Sequence, residues 1–158
     1  MPTPQELADQ YLAGAAQLRA AVAGMTRAQL TAHPVPGRWS TLEVVCHVSD
    51  FELILADRMK RIIAMAAEVP LLLVADEDQF VKELGYQERD VEEELAVVGA
   101  LRAQMARIIR GLKPEQLQLT GNHNKRGLLT LEKVLGMAIN HIPHHVGFVA
   151  EKRKALGL

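Results

Sequence analysis

The chain has 158 residues, of which 49% are hydrophobic, so it is long and apolar enough to bury one continuous core. Its 18 Lys and Arg balance 19 Asp and Glu, which argues against nucleic acid or an anionic membrane as a partner. No apolar run reaches the roughly 18 residues that a membrane span needs, and the N-terminus lacks a signal-peptide pattern. These features predict a single cytoplasmic domain over residues 1–158.

Four long segments repeat their apolar residues with the 3.6-residue period of an amphipathic helix. Capping boxes, in which a hydroxyl and a carboxylate three residues later bond each other's backbone N–H groups, mark the first two starts at Thr3 and Ser40. Glycine marks the end of the first and third segments. The predicted helices run from Thr3 to Gly24, from Ser40 to about Ala66, from about Asp90 to Gly111, and from about Thr130 to about Ala155.

The connection from Glu68 to Arg89 is too long for a tight turn between antiparallel helices. It permits a crossover between second and third helices that run parallel. Within it, the acidic start at Asp76 and the stop at Gly85 predict a short helix. Since no segment shows sustained strand alternation, the expected fold is all-α, a four-helix bundle with one long crossover.

Three histidines lie on the inward faces of two predicted helices. His141 and His145 are four residues apart, so their rings share one helix face and can point at one metal ion. His47 lies on the apolar face of the second helix and can supply a third nitrogen. With one cysteine in the chain, Cys46, a metal site must be built from His, Asp or Glu. Three imidazole ligands leave a position for water or substrate.

Two motifs carry a resemblance to a known family. One is W-S-x-x-E-V-x-x-H from Trp39 to His47, and the other is H-x-x-H-H from His141 to His145. In this order they resemble the DinB-like superfamily, and the likeness extends over nearly the whole chain. The resemblance implies a four-helix bundle of up-down-down-up topology and a divalent ion held by His47, His141 and His145. It also implies frequent dimers, so a homodimer is an expectation.

Several neighbouring residues are candidates for a supporting role. Asp50, one turn after His47, could accept a hydrogen bond from that imidazole, because carboxylates often orient metal-binding histidines; a solvated helix position is the alternative. Glu52 and Arg58 match recurrent family positions and could pair along the cavity, or equally pair at the surface. His144 is rotated about 100° from His145, which excludes it from the same ion on a regular helix.

The resemblance gives a first functional hypothesis. Characterised relatives include transferases and isomerases that use low-molecular-weight thiols, which implies a metal ion that activates such a thiol for transfer to an electrophilic small molecule. A metal-dependent hydrolase and a non-catalytic metal- or ligand-binding bundle are the alternatives. Imidazole ligands suit zinc, nickel, copper and iron alike, and zinc and nickel are the favoured ions.

Overall fold

A computed structural model describes residues 2–158. The four predicted long helices and the predicted short crossover helix are present. A further short helix, which the sequence pattern did not indicate, lies between the first two long helices. Thr3, Thr26 and Ser40 begin the first three helices with capping boxes. The helices are α1 Pro4–Val22, α2 Arg27–Thr31, α3 Thr41–Ala64, α4 Glu77–Glu83, α5 Val91–Arg110 and α6 Leu131–Ala155.

A small three-stranded sheet lies in the connections, where the sequence showed no strand. Strand β1 (Leu71–Leu72) pairs in parallel with β2 (Thr120–His123), which forms an antiparallel hairpin with β3 (Gly127–Thr130). Gly121 is required here, because a Cβ at this position would press on Ile62 and Leu72. The hairpin joins α5 to α6 and ties the crossover to the end of the bundle.

Side-chain pairs between the long helices show how the helices are arranged. Glu52 and Lys60 of α3 bond to Arg102 and Gln104 of α5, in the same order along both helices, so these two run parallel. Arg19 of α1 bonds Glu92 near the start of α5, while Asp9 bonds Arg110 near its end, so α1 and α5 are antiparallel. The bundle therefore has the expected up-down-down-up topology with the crossover between α3 and α5.

The core forms two apolar clusters, one toward each end of the bundle, with a buried polar layer between them. Within that layer the Arg102 guanidinium donates to both Glu52 and the Ala138 carbonyl, through N–O distances of 2.9 and 2.7 Å. It also donates to the Tyr11 carbonyl, and the Tyr11 hydroxyl donates to Glu52. This cluster, here called the arginine network, contacts all four long helices and fixes α3 against α6 beside the histidines.

Candidate metal centre

The bundle brings His47 of α3 together with His141 and His145 of α6. The Nε2 atom of His47 lies 3.1 Å from the Nε2 atoms of both His141 and His145. His47 and His145 are buried and His141 is half-buried. Among the described residues, these three form a group whose potential ligand atoms all lie within 4.8 Å of one another. Exposed His144 does not belong to it.

The spacing of the three nitrogens suits a shared cation. Ligand nitrogens at about 2.0–2.1 Å from one zinc ion are separated by about 2.9–3.4 Å, according to whether the ligand angle is octahedral or tetrahedral. Without a cation, three lone pairs would face one another, and one Nε2–H could donate to only one neighbour at a time. The donor set therefore fits a divalent ion that accepts nitrogen ligands.

The electrostatic environment keeps the three imidazoles neutral. Burial, followed by the neighbouring histidines, lowers the pKa of His47, His141 and His145 to about 3. Removal from water disfavours the imidazolium, and neighbouring imidazoles add repulsion between their charged forms. A neutral imidazole is the form that binds a metal ion. At pH 7 the fold thus offers three lone pairs without a competing proton.

The Nδ1 atoms of the three rings are buried and make no hydrogen bond within residues 2–158. The hydrogen bond from His47, which was one possible role for Asp50, is not formed in this structure. Asp50 instead accepts a hydrogen bond of 2.8 Å from the Tyr86 hydroxyl and pairs with Arg89 at 3.0 Å. Residues three apart on a helix lie about 60° apart around its axis, so Asp50 is near His47, but its carboxylate is bound to Tyr86 and Arg89 instead.

The predicted pairing of Glu52 with Arg58 is also wrong. Glu52 is fully buried and pairs with Arg102 in the arginine network. Arg58, six residues further along α3, lines a cavity and donates to the Leu73 carbonyl beside β1. Glu52 therefore supports the helix packing near the centre, and Arg58 faces the space where a ligand would bind.

A cavity of about 1100 Å³ is lined by His141 and His145, and His47 is buried behind them. Aromatic rings from α3, α6 and the loop before α3 form much of its wall, with Trp39 centred 5.2 Å and Phe51 4.4 Å from the His47 ring. The exposed His144 lies at the same cavity and packs against Phe148. The candidate centre thus has protein on one side and a ligand-sized space on the other.

Two residues at this cavity were not indicated as functional by the sequence. Glu77, at the start of α4, places Oε2 3.9 Å from His47 Nε2. His123 is buried at the end of β2 and lines the cavity. The acidic run at Asp76 was a signal for a helix start only. The position of His123 depends on a sheet whose strands are too short to leave a pattern.

The chain belongs to the DinB superfamily, because the family's sequence profile matches residues 10–149. "Putative metal-dependent hydrolase YfiT" from Bacillus subtilis (strain 168) is 27% identical over 143 residues, which are 90% of this chain and 79% of the relative. "Putative metal-dependent hydrolase OB0782" from Oceanobacillus iheyensis is 25% identical over 139 residues, 87% of this chain and 79% of that protein.

A solved structure supports the same fold. YfiT from Bacillus subtilis, described as having an unusual four-helix bundle topology, superposes with a TM-score of 0.89 at 24% identity. The match covers 98% of this chain and 87% of that chain. In residues 2–158 no helix combines the length and the apolar character that crossing a membrane requires.

Proposed function

We propose that this protein is a metal-dependent enzyme that acts on a small molecule, with a divalent ion, zinc or nickel, held by His47, His141 and His145. The proposal is carried by the three converging Nε2 atoms, two of which belong to residues that line the cavity, His141 and His145. When bound, such an ion acts as a Lewis acid and lowers the pKa of a water or thiol placed on it. Three protein ligands leave room for that nucleophile.

The reaction we favour is transfer of a low-molecular-weight thiol to an electrophilic substrate. The cavity volume of about 1100 Å³ exceeds the roughly 300–1,000 Å³ of a typical single-ligand pocket, so a thiol and a second molecule fit together. The protein offers no thiol of its own at this cavity within residues 2–158, because its one cysteine, Cys46, is buried and donates to the Tyr86 carbonyl. Burial raises the pKa of the Cys46 thiol to about 12.

Glu77 favours hydrolysis as a second candidate. Its carboxylate oxygen beside His47 is placed to accept a proton from a water molecule in the cavity. The names of the relatives from Bacillus subtilis and Oceanobacillus iheyensis point to the same chemistry. The side chain of Glu77 is 57% exposed, so a bound substrate can reach it. A carboxylate in this place can also accept the proton of a thiol.

Parallel assays of zinc- or nickel-loaded protein distinguish the two reactions. We expect addition of a small thiol to a haloaromatic electrophile, loss of that activity in His141→Ala, and retention in Lys60→Ala, a substitution outside the cavity. Cobalt-loaded protein should show a sulfur-to-metal charge-transfer band when thiol is added. Thiol-independent cleavage of an activated ester would assign hydrolysis instead. A stoichiometric ion with neither activity and no thiol-induced band would contradict both enzyme reactions and leave a binding module.

A further inference from the structure

One wall of the cavity collects positive charge that the protein leaves unpaired. Arg58 comes from α3, and His123 and Arg126 come from the β2–β3 hairpin. The hairpin is held against the crossover by the β1–β2 pairing and by a 2.9 Å bond from the Val74 N–H to the Asn124 side chain. The fold thus gathers side chains from distant parts of the chain at one wall.

Most arginines outside this cavity pair with a carboxylate, whereas Arg27, Arg107 and Arg153 form no salt bridge within residues 2–158. Five that lie outside this cavity each pair with a carboxylate: Arg19, Arg61, Arg89, Arg102 and Arg110. Within residues 2–158, Arg58 and Arg126 form no salt bridge, although both line the cavity. The nearby Asp57 forms its salt bridge with Arg61, whose Nε donates to the carboxylate at 2.7 Å.

Arg58 donates one hydrogen bond to the Leu73 carbonyl, but other hydrogen-bond donors of this wall have no protein partner in residues 2–158. Arg58 Nε is buried and has no partner within the described residues. The Nδ1 atom of His123 accepts a 3.1 Å hydrogen bond from the Lys125 backbone N–H, so in the neutral ring the proton lies on Nε2, which is a donor. Arg126 adds a guanidinium whose side chain makes no bond to another described residue.

Like charges at this wall affect each other. Burial first, and then the charge of Arg126, lower the pKa of the Arg58 guanidinium. Burial followed by the charges of Arg58 and Arg126 lowers the pKa of His123. The acidic side chains that line the cavity come from the start of α4 and from Glu151 of α6, and within residues 2–158 none of them forms a salt bridge with Arg58 or Arg126. An anion at the hairpin wall would relieve the repulsion between the two arginines and satisfy the free N–H groups.

We propose that Arg58, His123 and Arg126 bind an oxyanion group, a carboxylate or a phosphate, on a small molecule held in the cavity. This oxyanion site defines an anionic substrate or cosubstrate whose other end reaches the three histidines. The assignment to substrate rests on the proposed function, whereas binding of the oxyanion itself does not require the ion. Arginine pairs suit this task because their planar forks donate two parallel bonds to such groups.

The test uses metal-free full-length protein, freed of chelator by dialysis and kept at constant ionic strength. Inorganic phosphate and succinate are titrated separately while ¹H–¹⁵N NMR follows the arginine Nε–H signals; Arg58→Lys identifies the Arg58 signal by its disappearance. We expect a saturable shift of that signal with one of the two anions. Arg126→Gln should weaken the Kd about 10- to 100-fold. Arg107→Gln removes the same charge from an exposed site outside the cavity and should leave the Kd unchanged.

A saturable response to phosphate alone or to succinate alone supports the oxyanion site and assigns the class of substrate. No saturable shift with either anion overturns it, and so does equal weakening by Arg126→Gln and Arg107→Gln, since that would show only a general effect of net charge. A separate zinc titration reports on the histidines. Failure of zinc binding with intact phosphate binding would refute the metal proposal and leave the oxyanion site standing.

Discussion

Two buried polar clusters lie side by side in this bundle and differ in how their polar atoms are satisfied. In the arginine network, Glu52 and Arg102 are fully buried, and both find partners on neighbouring helices. In the histidine cluster, three Nδ1 atoms have no partner in the described residues and three Nε2 atoms face one another. An unsatisfied buried polar group costs about 1–3 kcal/mol.

The comparison separates a structural role from a ligand-binding role. A network whose polar atoms have their partners within the protein holds the helices together and leaves no hydrogen-bonding group for a ligand. A cluster that is incomplete, and that opens on a cavity, carries a cost that a bound ion can offset. The arginine network also contacts α6 at Ala138, three residues before His141. The arginine network therefore helps to position His141, although the two clusters have no residue in common.

The largest effect of a single substitution is expected from breaking the arginine network. Glu52→Gln leaves the buried Arg102 guanidinium without a countercharge and should lower the free energy of unfolding by about 3–5 kcal/mol. Urea denaturation measures this change. The matched control is Glu92→Gln, which breaks the exposed pair with Arg19 and should change stability by less than about 1 kcal/mol. Equal effects of the two substitutions would refute the structural role of the network.

The histidine cluster should make the metal-free protein sensitive to acid. In the folded state the pKa of each histidine is about 3, against about 6.5 in the unfolded chain. Between these values the unfolded state binds more protons, so stability falls as pH drops below 6.5. The expected slope is up to about 1.4 kcal/mol per pH unit and per histidine. Urea midpoints from pH 7 to 5 measure it, and a flat profile would contradict the neutral, buried state.

Gly14 offers a smaller test of the arginine network from α1. A Cβ at this position would overlap the Arg102 guanidinium, which its bonds to Glu52 and Ala138 hold in place. Gly14→Ala should destabilise the protein by about 1–3 kcal/mol. Gly136→Ala is the control, since nothing lies within 4 Å of its Cβ position in α6. That change should stabilise the protein by about 0.4–1 kcal/mol, and thermal unfolding of both variants would show opposite signs.

The smallest expected change in stability comes from replacing His47 in metal-free protein, and it distinguishes a ligand-binding cluster from a structural one most sharply. In metal-free protein, His47→Leu removes a buried, unsatisfied imidazole and should raise the free energy of unfolding by about 1 kcal/mol. With zinc present, only the wild type should gain stability, because only it binds the ion in the folded state. Urea titrations of the wild type and of His47→Leu, each with and without zinc, measure both changes in the free energy of unfolding. Destabilisation of the metal-free variant by several kcal/mol would show that His47 is a structural residue.

The long helices and the inward faces of the histidines follow from the sequence, because a 3.6-residue period reports which residues share a face. That His47 meets His141 and His145 was implied by the family resemblance. The arginine network was readable in part: Arg102 continues the apolar stripe of Val98 and Met105 in α5, and a charge on a buried stripe requires a buried partner. Which partner it takes depends on tertiary packing. The β1–β2 pairing joins residues about 50 apart through two positions, so His123 could not be placed at the cavity.

Metal content is the most direct test of the central claim that His47, His141 and His145 bind one divalent ion. Protein purified without a metal-chelating tag, saturated with zinc and dialysed, should retain about one ion per chain. His47→Ala should lose that ion, whereas His144→Ala, an adjacent histidine outside the cluster, should keep it. Circular dichroism should show both variants folded. Equal retention of zinc by His47→Ala and the wild type would contradict the assignment.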